Sequence, residues 1–166
     1  GLGKVILTNN AFICKADNVE FNNIIFSQNN GSSVLKVYGN NIKIYNCTFS
    51  SVNTDLGVLY LSSGSVDIVN TVINNVNSRY LISISKNTIL KMSNSIVDEN
   101  NLENSIFYLG DGSSLNADYC IITNNRFADY VSIEEGGESV ISLDYNWWGT
   151  NTPAGKDIKN WVIMNA

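Results

Sequence analysis

Ile42-Lys43-Ile44-Tyr45-Asn46-Cys47-Thr48-Phe49 decides the fold, because the pattern recurs. Val66-Asp67-Ile68-Val69-Asn70-Thr71-Val72-Ile73 and Leu90-Lys91-Met92-Ser93-Asn94-Ser95-Ile96-Val97 repeat it at intervals of 24 residues. In each copy apolar residues stand at the first and third positions, an Asn at the fifth and another apolar residue at the eighth. A period of two puts one side of a short strand inward. Asn tolerates a left-handed backbone and bonds to nearby main chain, which suits a tight corner between two strands.

The same frame extends in both directions. Anchored on Phe26, Phe49, Ile73, Val97, Ile122 and Trp148, it repeats every 23 to 26 residues, which fits one turn of a β-solenoid. Seven residues before each anchor stand Val19, Ile42, Val66, Leu90, Leu115 and Ile141, and five before stand Phe21, Ile44, Ile68, Met92, Ala117 and Leu143. After each anchor comes another inward pair: Leu35/Val37, Leu59/Leu61, Ile82/Ile84, Phe107/Leu109 and Val131/Ile133, with Phe12/Cys14 one coil earlier. Three strands per coil predict a prism filled by stacked side chains. The expected fold is all-β, a right-handed single-stranded parallel β-helix of about six coils of roughly 24 residues. At about 4.8 Å per coil the rod is on the order of 29 Å long. Residues 1–151 are read as coils and 152–166 as a C-terminal cap and the start of a linker to a following domain, with Trp147, Trp148, Pro153 and Trp161 closing the core.

Further files follow from this alignment. The corner file reads Asn23, Asn46, Asn70, Asn94, Tyr119 and Tyr145, and its amides are expected to form a ladder. An outward file reads Glu20, Lys43, Asp67 and Lys91, whose alternating sign predicts cross-strand pairing that holds the register. Cys14, Cys47 and Cys120 all point inward. Cys47 and Cys120 share a file three coils apart, too far for a disulfide, so three buried free thiols are expected.

Composition narrows the function. Hydrophobic residues are 44% and charged residues 15%, which excludes a disordered chain. The net charge is −5 with no basic stripe, so no nucleic-acid partner is expected. No apolar run is long enough to cross a membrane as a helix. There is no His and no CxxC, so neither a metal site nor a Cys–His nucleophile is expected, and no cofactor is implied.

The run Asp144-Tyr145-Asn146-Trp147-Trp148-Gly149-Thr150-Asn151, followed by Asn160-Trp161-Val162-Ile163-Met164, resembles the end of the β-helix region in adhesin-like surface proteins of methanogenic archaea. The corner Asn46-Cys47-Thr48-Phe49 resembles coils of the same proteins. That resemblance implies a fragment of a large secreted protein held at the cell surface, with adjacent domains in the same chain. It transfers no binding residue.

Two functional classes remain. The first is a non-catalytic adhesin or display module whose partners are other cell surfaces, glycans or surface proteins. Its binding candidates are outward Tyr60 and Tyr108, with Tyr130 and Tyr80 beside them, since tyrosine faces stack on sugars and pack against proteins. An apolar outward stripe of Ile25, Val72, Ile96 and Ile121, with Thr48 and Trp147 in the same file, marks a contact face or the bed of the Trp161–Met164 stretch. The second class is a polysaccharide-active lyase or hydrolase, with Asp118 and Asp144 as neighbouring carboxylates and Asp67 one file away. Arg79 and Arg126, the only arginines, are placed in loops away from that pair. Sequons stand at Asn30 and Asn46, and Asn46 is expected to stay unmodified in its corner.

Overall fold

A computed structural model describes residues 5–8, 10–28, 30–62 and 64–149. The strands wind into a three-walled solenoid in which every pairing is parallel. The first wall stacks Glu20–Asn22, Ile42–Tyr45, Ser65–Val69, Ile89–Ser93, Ser114–Asp118 and Val140–Ser142. These form one six-stranded sheet, so the first and last rungs are five turns apart. The second wall carries the anchors and the third carries the pairs from Phe12/Cys14 to Val131/Ile133.

The expected files are present rung by rung. Leu7, Phe26, Phe49, Ile73, Val97 and Ile122 are successive partners on the second wall. The rings of Phe26 and Phe49 stack with centroids 4.6 Å apart and planes 4° apart. Both are fully buried, as are Ile44, Ile68, Leu59 and Ile82 on the other walls. Each such side chain withdraws about 1.5–3 kcal/mol worth of apolar surface from water, and the repeat makes this core continuous.

Left-handed backbone turns the chain at three corners, where the sequence pattern identified one. Asn23, Asn46, Asn70, Asn94, Tyr119 and Tyr145 have φ between 49° and 60° at the first corner. Gln28, Ser51, Asn75, Glu99 and Asn124 turn the second, and Asn18, Asn41, Gly64, Asn87, Gly112 and Gly136 the third. The expected ladder along the first file does not form. Asn46, its side chain exposed, donates instead to Asn22 of the neighbouring file on the rung below, at 3.1 Å. The ladders lie elsewhere: Asn53, Asn77 and Asn101 link rung to rung past the second corner, and Asn41 donates to Asn18 at the third.

The second corner also departs from three separate strands. Val72–Ile84 runs from the second wall into the third without a break, and Asn101–Leu109 continues through the same bend. Between them the register shifts, so that Ser78 pairs Leu102 while Tyr80 pairs Ser105. Two residues, Glu103 and Asn104, thus oppose the single Arg79, as in a β-bulge.

Cys14, Cys47 and Cys120 are buried free thiols. The file of Cys47 explains two of them. Its other members are Thr71, Ser95, Cys120 and Asn146, and every member but Asn146 donates to the carbonyl two residues back. Cys47 donates to Tyr45 and Cys120 to Asp118, as Thr71 does to Val69 and Ser95 to Ser93. The position needs a small donor that closes the first corner, and a thiol serves. No redox pairing is required.

Glu20, Lys43, Asp67, Lys91 and Asn116 stack as one outward file. The expected ion pairs along it are not made. Among the described residues the one ion pair is Lys86–Asp111, at 2.7 Å on the third corner. Long side chains in water gain little from holding one geometry, and here each head group stays apart from its neighbour. The proposed cap, 152–166, lies outside the described residues. Among those that are described, no helix is long and apolar enough to cross a membrane.

Candidate functional site

The bend between the second and third walls carries the densest set of recognition groups. Because Val72–Ile84 crosses it as a continuous strand, Arg79 sits on a strand rather than in the expected loop. The bulge sets Glu103 and Asn104 against it. With its carbonyl turned to Arg79, the Asn104 side chain accepts from Nε at 3.2 Å and donates to the Glu103 carbonyl at 3.3 Å. The guanidinium also lies 5.5 Å from the centre of the Tyr80 ring, within cation–π range. A shallow groove beside it is lined by Asn53, Asp55, Leu56, Asn77, Arg79 and Glu103. A second groove, sharing Glu103, continues past Asn101 to Arg126 and Phe127. Both arginines of the chain therefore open onto one corner.

The four tyrosines separate into distinct environments. Tyr80 and Tyr108 come together, with ring centres 4.7 Å apart, next to Arg79. Tyr108 shares its outward file with Tyr60, but Ser83 stands between them and donates to the Leu56 carbonyl at 2.6 Å. Tyr60 pairs instead with Tyr38, at 6.2 Å. Tyr130 packs against Phe127 and the edge of Trp148, as part of the material closing the core. Partial burial, then the charge of Glu134, holds the Tyr108 phenol above its ordinary range, and burial does the same for Tyr130. Both hydroxyls stay protonated donors at neutral pH.

Ile6, Ile25, Thr48, Val72, Ile96, Ile121 and Trp147 form one outward file along the second wall. Ile6, Ile96, Ile121 and Trp147 are exposed. The Trp161–Met164 stretch expected over this file lies outside the described residues. On the first wall Asp67, Lys91, Ser93, Asn116 and Asp118 line a shallow groove. Asp144 lies beyond it and accepts from Ser142 at 2.8 Å. Among the described residues no three His, Cys, Asp or Glu side chains cluster in a way that would hold a metal.

Sequence reasoning singled out the tyrosines and missed the polar half of the corner. Asp55, Arg79 and Glu103 stand 24 residues apart, the period of the repeat, and that spacing was the available signal. Asn104 left none, because its place depends on the bulge.

An all-parallel, three-walled solenoid with stacked side-chain files defines the class. The model of the right-handed beta helix region matches residues 5–146, and the chain belongs to that family. No curated protein and no solved structure matches it.

Proposed function

We propose that this chain is a non-catalytic attachment or display module of a cell-surface protein, binding glycans of other cells along the bend between its second and third walls. The supporting observation is the meeting of Tyr80, Tyr108 and Arg79 above the Asn53–Asn77–Asn101 ladder. Aromatic faces take the apolar side of a sugar, while amides and a guanidinium take its hydroxyls. The charges in the groove balance, with Asp55 and Glu103 against Arg79 and Arg126, which favours an uncharged chain over an acidic one. The resemblance to adhesin-like surface proteins of methanogenic archaea supplies the setting, extracellular and joined to further domains. A glycan array probed with the wild type and with Arg79→Ala and Tyr108→Ala tests the reading. Binding to neutral glycans that falls about tenfold or more in both variants is expected. Retention only by surface proteins would move the partner class from glycan to protein, and binding indifferent to both variants would remove the groove from the account.

A second reading, a polysaccharide-active enzyme, draws on the first-wall groove, where two carboxylates and Lys91 lie on one face. Incubation with acidic polysaccharides and Ca²⁺ checks it. Unsaturated products that disappear in Asp118→Ala would establish the enzyme in place of the attachment module.

A further inference from the structure

The outward file of the first wall is self-complementary when reversed. Read up the rod, Glu20, Lys43, Asp67 and Lys91 alternate in sign, one charge per rung. Read down the rod, the order of signs inverts. Two copies laid face to face with their rods antiparallel therefore place Glu20 against Lys91 of the second copy and Lys43 against Asp67, each pair occurring twice. With the rods parallel and in register, every charge meets its own kind.

The face is suited to such a contact. All pairings on this wall keep register, so its rungs are level. The four charges make no ion pair with one another, which leaves them available to a partner. Within the chain Glu20 accepts from Asn22, and Lys43 lies 6.0 Å from the Tyr45 ring. The neighbouring file is Asn22, Tyr45, Val69 and Ser93. The same antiparallel overlay sets Tyr45 against Val69 of the second copy, twice, and Asn22 against Ser93. Along this neighbouring file polar meets polar and apolar meets apolar.

We propose that the first wall is a homophilic surface, pairing antiparallel with a second copy of this chain. Four rungs of five residues cover roughly 19 by 17 Å, or about 650 Å² for the two copies together. That is well below the ~1,200 Å² of lasting complexes. The single contact is weak and salt-sensitive, and it gains strength where many copies are displayed together. Antiparallel is the arrangement that rods projecting from two facing surfaces adopt, while neighbours on one surface in register repel. This inference does not depend on glycan binding at the bend.

Sedimentation velocity across a concentration series at low and high salt tests it, with three chains of checked circular dichroism. The wild type is expected to associate at low salt and to dissociate as salt rises. Lys43→Glu with Lys91→Glu makes the file uniformly negative and should weaken association about tenfold or more. Reversal of all four charges (E20K, K43E, D67K, K91E) restores the alternation, so that variant should associate with itself as the wild type does. A wild type that stays monomeric, association that survives the double variant, or a folded fourfold variant that fails to pair would each overturn the proposal.

Discussion

Left-handed backbone at a residue with a Cβ costs on the order of 1 kcal/mol, less for Asn, whose short side chain bonds locally. Glu99 occupies the second-corner file at φ 54° where Asn75 and Asn124 stand on the rungs either side, and its side chain is exposed. Glu99→Asn is accordingly expected to raise unfolding free energy by about 0.5–1 kcal/mol, read by urea denaturation. An unchanged or lower midpoint would mean that the left-handed turn there carries no strain. A second residue-level expectation concerns pH. Burial, with a smaller contribution from the charge of Asp118, holds the Cys120 thiol above its ordinary value of 9.0. A thiol that stays protonated in the fold adds stability in full below that value and loses it as pH climbs through its raised titration. Stability should therefore decline above about pH 9, and Cys120→Ser, which keeps the donor to the Asp118 carbonyl, should flatten the decline. Tyr108 and Tyr130 steepen it only at higher pH, since their ordinary value is 10.0. An equal slope in both proteins would remove Cys120 from the account.

At the scale of the element, the corners depend on buried amides as much as on apolar files. Asn100 is 2% exposed, accepts from the Val76 N–H at 3.0 Å, and donates to the Ile73 carbonyl and to Asn125. Asn100→Ala leaves those groups unpaired in a dry corner, which is expected to cost about 3 kcal/mol, measured by chemical denaturation. A loss under about 1 kcal/mol would show that the chain closes over the gap or admits water. The strands themselves were legible from period-two alternation, because inward residues such as Ile44 and Ile68 repeat without exception on the first wall. The first corner was legible because Asn fills four of its six rungs. The second was not, since Gln28, Ser51 and Glu99 are unlike one another and share only a backbone angle. The bulge opposite Arg79 was equally hidden, because a shift of register leaves no mark in composition. Hence the tyrosines of the candidate site could be named from the sequence, but the pairing of Tyr80 with Tyr108, and the place of Asn104, could not.

At the scale of the molecule, one consequence of stacking governs everything else: residues a repeat apart lie one strand spacing apart along the rod. The grooves at the bend, the apolar file from Ile6 to Trp147 and the alternating charges of the first wall all owe their existence to it. The most direct test is pulsed electron–electron distance measurement between spin labels on the outward first-wall file. Glu20 would carry one label, and Lys91, Asn116 or Ser142 the other, positions on the fourth, fifth and sixth rungs. The stacked rod predicts distances that rise by about 4.8 Å from each site to the next. Distances that fail to rise in order, or that jump by much more than one strand spacing, would contradict it.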